Sequence, residues 1–188
     1  SRTAVQQNLD NLAERNLPEA EQKAVQQTLE QTLAFLANQA DSEQRLKDLK
    51  RQLNDAPRLI NEAQREFTRL KASAVKPVSE RYGKSSAVQL ESLLSERTSQ
   101  LSGWQQELAE ANSLLITAQT RPERAQAEIS SNQTRALKIN NMLKVGKDAG
   151  KPISPEQRDQ LNAELAALNA VTELRRQELA GNSLLQDL

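Results

Sequence analysis

Three short stretches of this 188-residue sequence hold residue types and spacings that could do chemistry. Gly146-Lys147-Asp148-Ala149-Gly150-Lys151-Pro152 has the glycines and lysines of a phosphate-cradling loop. It is one residue short of that spacing, Pro152 stands where Ser or Thr would hold magnesium, and no strand is expected ahead of it. Ser73-Ala74-Val75-Lys76 fits the S-x-x-K pattern of a serine nucleophile with a lysine base. The S-D-N-like and K-T-G elements that accompany it in penicillin-binding enzymes are absent. Glu62 and Glu66 fall one turn apart on a helical face, but Arg65 and Arg69 are interleaved, which describes a solvated, charge-laced surface and not a poised acid–base pair. There is no His and no Cys. The chain thus lacks the commonest general base and metal ligand, and it can build no disulfide, zinc-thiolate site or cysteine nucleophile. No catalytic residue, metal site or cofactor is expected.

Composition narrows the remaining classes. Lys plus Arg and Asp plus Glu both number 25, so the basic excess of a nucleic-acid binder is missing. No apolar run approaches the ~20 residues that span a bilayer, and no signal peptide is visible. The aromatic residues are Phe35, Phe67, Tyr82 and Trp104. A compact core normally uses more of them, because each buries a large area. Leu and Ala must therefore do the packing, which suits narrow helix–helix seams. A polar chain can also be disordered, but sustained heptads built from strong helix formers argue against that here. The start at Ser1 and the helix-like Leu184-Leu185-Gln186-Asp187-Leu188 at the other end read as a piece cut from a longer chain.

The element around which the rest is organised is a helix over residues 86–120. Leu94, Leu101, Leu108 and Leu115 recur every seven residues, and Leu90, Arg97, Trp104, Ala111 and Ala118 form a second row with the same period. Alternating steps of four and three mark a helix that packs lengthwise on another helix. At 1.5 Å per residue it would be about 50 Å long. The expected structural seam is Leu94, Leu101, Trp104, Leu108 and Leu115. Trp104 fills the seam and needs a partner for its indole N–H. Arg97 sets register, pairs across the seam or snorkels.

The other helices follow from their punctuation. Thr3 can cap a short helix to about Arg15, with Val5, Leu9 and Leu12 on one face. Pro18 suits the first turn of a second helix reaching about Asn54, striped by Val25, Leu29, Leu33, Leu36 and Ala40 and resuming as Leu46, Leu49 and Leu53. Asp41 to Gln44 interrupts that stripe like a stutter. Pro57 then kinks the helix or turns the chain, and a tight turn is favoured, with Asp55 capping and Pro57 opening a third helix lined by Leu59, Ile60, Ala63, Phe67 and Leu70. Pro122 repeats that logic after the long helix, and Ala125, Ile129, Ala136, Ile139 and Leu143 face inward beyond it. Ser154-Pro155-Glu156-Gln157 is a capping-box start for a last helix carrying Leu161, Leu165, Leu168, Val171, Leu174 and Leu179.

An offset of 65 places Val25 on Leu90, Leu29 on Leu94, Leu36 on Leu101 and Pro57 on Pro122. The expected fold is all-α: one elongated region over 1–188, built of antiparallel helical hairpins with coiled-coil-like packing. Its approximate repeat units are 18–75, 86–145 and an incomplete 154–188, with Pro57 and Pro122 as helix turns. If both prolines reverse the chain, the loops 75–85 and 146–153 share an end made basic by Lys76, Arg81, Lys84, Lys144, Lys147 and Lys151, although dispersed charges of this kind usually mean ordinary solvated loops.

Several segments resemble the N-terminal periplasmic region of large MscS-type mechanosensitive channels, nearest to the MscK (KefA) subgroup. They are Val25-Gln26-Gln27-Thr28-Leu29-Glu30-Gln31-Thr32-Leu33, then Ala56-Pro57, the turn Thr120-Arg121-Pro122-Glu123-Arg124-Ala125-Gln126, and the tail Leu179-Ala180-Gly181-Asn182-Ser183-Leu184-Leu185-Gln186-Asp187. The turn and the tail carry the specificity. The resemblance implies a non-enzymatic periplasmic extension of a channel in the bacterial inner membrane, with a structural or regulatory role in osmotic-shock protection. Its implied partners are the remainder of the channel polypeptide and neighbouring channel subunits. An envelope coiled-coil adaptor binding a cell-wall or efflux partner is the alternative. The heptads could be satisfied within one chain or between chains. Short Pro turns favour the former, so the isolated chain is expected to be a monomer that Leu108→Asp unfolds as a unit.

Overall fold

A computed structural model of the chain describes residues 1–73 and 81–188. The described residues are all-α apart from one minimal strand pair. Helix α1 (Arg2–Asp10) is followed by a 3-10 turn (Leu12–Arg15), then α2 (Glu19–Ala72) and α3 (Ala87–Val145). Strands β1 (Lys147–Asp148) and β2 (Lys151–Pro152) lead into α4 (Pro155–Ala180) and a short α5 (Asn182–Asp187).

Both prolines expected to turn the chain lie inside helices. Pro57 is within the 54-residue α2 and Pro122 within the 59-residue α3, so the second and third expected helices are one, as are the fourth and fifth. The reason is that the apolar period does not change phase at either proline. In α2 the alternation of threes and fours runs 46, 49, 53, 56, 60, and Ala56 is fully buried while Pro57 itself is exposed. In α3 the rows that hold Leu115 and Ala118 continue through 122, 125, 129, 132, 136, 139 and 143. Ala118, Ala125, Ile129 and Ile139 are buried. A proline in a helix interior costs about 3 kcal/mol, but helices in proteins are held chiefly by burial of a continuous face. Near the prolines, Asn61 Nδ2 donates to the Pro57 carbonyl at 2.8 Å and Thr120 Oγ1 to the Ile116 carbonyl at 3.2 Å, side-chain bonds one turn back.

The expected interruption at 41–44 is also bridged. Ser42 is buried in the stripe, with its hydroxyl 3.4 Å from Asn38 Oδ1. Thr32 is buried beside Leu29 and donates to the Thr28 carbonyl at 2.7 Å. Both are small enough for a helix seam, and the bond one turn back satisfies each hydroxyl.

The chain forms two compact units. The first comprises Ser1–Gln52 and Pro122–Gly181. Its core holds Val5, Leu12, Leu29, Ala125, Ile129, Ile139, Ala163, Ala167 and Leu174. Arg135 grips Glu164 with two bonds of 2.6 and 2.7 Å, and Arg175 Nε reaches Glu128 at 2.6 Å. As the α3 number falls the α4 number rises, so these two helices run antiparallel. Gln160 of α4 donates to Gln31 of α2. The expected Leu row of α4 is mostly half-buried, and the small Ala163, Ala167 and Thr172 are the better covered, as expected for a helix with neighbours on more than one side. The second unit comprises Leu53–Arg121 and Asn182–Leu188. Its buried apolar residues are Ala56 and Ala118 among those described. Phe67 and Leu70, expected to face inward, are 66% and 61% exposed.

Caps follow the sequence closely. Ser154 and Gln157 form the reciprocal capping box, at 3.0 and 3.2 Å. Ser86 and Gln89 form another at the start of α3, at 2.9 and 3.3 Å. The first helix begins earlier than expected, capped by Ser1, whose hydroxyl accepts from the Ala4 N–H.

Candidate functional site

The stretches with chemical potential resolve into structure. The Gly146–Pro152 motif is a tight β-hairpin: Lys147 pairs with Pro152 and Asp148 with Lys151, and Ala149 and Gly150 take the positive φ values of 47° and 83° at its tip. The Ile153 N–H closes it on the Gly146 carbonyl at 3.1 Å. Its backbone groups serve a turn between two helices, and it does not open a helix as a phosphate loop must. Lys76, the base position of the S-x-x-K match, lies outside the described residues. Glu62 is held by Arg58 at 2.9 and 3.0 Å, and Glu66 by Arg69 at 2.5 Å, all exposed. That is the charge-laced face the sequence implied. Among the described residues, no cluster of three Asp, Glu, His or Cys could hold a metal.

The expected basic end does not form. With Pro57 and Pro122 inside helices, residues 81–85 and 146–153 precede and follow the single helix α3, and they belong to different units. A shallow hollow beside the hairpin is lined by Arg135, Lys138, Lys147 and Asp148. Glu164 already occupies Arg135, whose basicity is raised by that hydrogen bond.

At the head of α4, Glu156 is bound by Arg15 at 2.9 Å. Its carboxyl is held below the ordinary value, first by its own backbone N–H at the helix start and then by Arg15 and Ser154, against the opposing effect of burial. This contact closes the N-terminal segment onto α4 and has the character of a structural clasp. Arg175 is likewise bridged by Glu128 and Glu178, which raise its basicity against burial, the largest influence on it.

What remains is the α3 seam, and the structure leaves it bare. Leu94, Leu101, Trp104, Leu108 and Leu115 are between 41% and 69% exposed. The expectation that the chain's own helices cover this row is therefore not met. Extending the Arg135–Glu164 and Arg175–Glu128 pairing brings the end of α4, at Ala180, level with Pro122. Among its described residues the second unit holds parts of α2 and α3 and, from the C-terminal region, the six-residue α5. Arg97 makes no ion pair among the described residues, and its guanidinium donates to Gln100 Oε1 at 2.6 Å. Tyr82 helps line a shallow groove with Leu90, Leu93, Leu94 and Arg97. Sequence reasoning missed that Pro122 carries the stripe onward; the unbroken heptad phase across it was the available signal.

Comparison with known proteins places this scaffold. The sequence matches the mechanosensitive ion channel porin domain family over residues 8–188. It is 33% identical over 189 aligned residues to the mechanosensitive channel MscK of Escherichia coli (strain K12), covering 97% of this chain and 16% of that protein. The chain thus spans about a sixth of the length of the curated relative it matches. No solved structure matches. Among the described residues no helix is long and apolar enough to cross a membrane. The chain belongs to the mechanosensitive ion channel porin domain family, and it is a domain of that channel family rather than an enzyme.

Proposed function

We propose that this chain is a periplasmic helical extension of an MscS-family mechanosensitive channel in the bacterial inner membrane, with a structural or regulatory part in osmotic-shock protection. The observation that carries the proposal is the family match over nearly the whole chain. The fold agrees in kind, being packed helices with no membrane-crossing helix among the described residues. On this reading the remainder of the channel polypeptide and the neighbouring subunits are its partners. The helices act as antiparallel hairpins with coiled-coil-like seams. α2 and α3 are two copies of one plan, each a single helix with an internal proline, offset by 65 residues.

The test is deletion of this region from the full-length polypeptide. Patch recordings from spheroplasts should show an altered tension threshold or open-state lifetime with single-channel conductance unchanged, and survival of osmotic downshock should fall. An unchanged threshold, lifetime and survival would remove the proposed role. The bare seam of α3 also favours an envelope adaptor that grips a partner helix. Full-length protein that lacks multiple membrane spans and produces no tension-gated current would favour that alternative.

A further inference from the structure

Residues 90–116 of α3 present an apolar row to solvent, with Leu94, Leu101, Trp104 and Leu108 each more than half exposed. At 1.5 Å per residue the row is about 40 Å long. Steps of four and three repeat along it, so its complement is another helix; an extended peptide has no matching 3.5-residue period. Arg97 is the one cation of this segment, against Glu91, Glu96, Glu107 and Glu110. The placement of the glutamates says more than their number. Glu96 and Glu110 lie round the helix from the row, and each accepts from a glutamine one turn away, at 3.0 Å. Glu91 and Glu107 flank the row directly, one on each side, at the positions where paired helices carry the charges that choose a partner. Neither makes an ion pair among the described residues. Arg97 stands within the row and donates to Gln100 Oε1.

These charges discriminate among covers. A helix that lies on a membrane surface carries Lys and Arg on its polar face. Here the polar face carries Glu, Ser and Gln, and anionic lipid repels it. A second copy of the segment brings the same excess of negative charge. A helix with cationic flanks is instead drawn to Glu91 and Glu107 while its apolar row meets the leucines. We propose that residues 90–116 of α3 are a docking seam for a basic amphipathic helix of a partner, with an apolar heptad row and Lys or Arg at the positions that meet Glu91 and Glu107. This inference goes beyond the channel reading and does not depend on it.

The experiment is titration calorimetry of the 188-residue chain with two synthetic helical peptides of about four heptads. Both carry Leu in the row; one has Lys at the flanking positions and the other Glu. The Lys peptide should bind one to one, at least about tenfold more tightly than the Glu peptide at low salt, and the difference should shrink as salt is added. Leu108→Asp should abolish binding with far-UV circular dichroism unchanged, since Leu108 is 62% exposed. Glu91→Lys combined with Glu107→Lys, both at exposed positions, should reverse the preference between the peptides. No binding of the Lys peptide overturns the proposal, as does equal binding of the two peptides or binding that survives Leu108→Asp. Association of the chain with phosphatidylglycerol vesicles that Leu108→Asp abolishes would assign the seam to a membrane surface and overturn it equally.

Discussion

Replacing Pro57 by Ala should stabilise the protein, and the size of the gain follows from where the ring sits. Pro57 is exposed, so its removal opens no cavity. It lies deep inside α2, with helix on both sides from Glu19 to Ala72. There, proline lacks the N–H that would reach the carbonyl of Leu53 and crowds the preceding turn, a penalty of about 3 kcal/mol relative to Ala. The unfolded chain gains freedom when the ring goes, which returns about 0.4–1 kcal/mol of that. The net expectation is a stabilisation of about 2 kcal/mol, and a rise in Tm of about 4–8 °C for a chain of this length. Urea unfolding followed by circular dichroism at 222 nm measures it, with the native signal equal to or slightly above that of the unmodified protein. If Pro57 opened a second helix after a turn, its fixed φ would be an asset and its missing N–H would cost nothing. A stability equal to or below that of the unmodified protein would therefore refute a continuous α2.

Further outcomes follow from other parts of the structure. Ile139→Ala, which empties a fully buried position, should cost about 2–5 kcal/mol, whereas Leu108→Ala should change the unfolding free energy of the monomer by no more than about 0.5 kcal/mol; equilibrium denaturation at low concentration distinguishes them. Glu156 binds protons less readily when folded than when unfolded, so it contributes stability above its ordinary value of 4.5 and loses it as the pH falls through the depressed value. Glu156→Gln should flatten the acid side of the stability–pH curve and leave its neutral side parallel to that of the unmodified protein. Ala149 sits at φ 47° on the hairpin tip, where glycine is favoured, so Ala149→Gly should raise stability by about 0.5–1 kcal/mol in the same assay.

How far the sequence reaches can be judged at particular residues. Ser154 and Gln157 are legible because capping is a local bond between residues three apart. Leu29, Ile129, Ile139 and Leu174 are legible as core because each sits in a periodic row. The prolines mislead because local propensity and phase disagree there: proline favours a turn, yet the rows on either side of Pro57 and of Pro122 are in register, and a turn has no reason to conserve that register. Ser42 and Thr32 escape notice because a hydrophobicity pattern discounts small hydroxyl residues that bond one turn back. The exposure of Leu101 and Leu108 lies beyond sequence reading altogether. A heptad row shows that a face is apolar, and nothing local to the seam records whether another element covers it.

Trp104 is the single tryptophan of the chain and stands 60% exposed on the bare part of α3. The protein therefore carries an intrinsic optical probe in a useful place. Its emission should be red-shifted and readily quenched by iodide while the seam is open to water, and should move to shorter wavelength when anything apolar covers it. The first unit contains no tryptophan, so its unfolding is nearly silent at excitation wavelengths selective for indole. A fluorescence titration thus reads seam occupancy, and circular dichroism reads the fold, as two separate signals from the unmodified polypeptide.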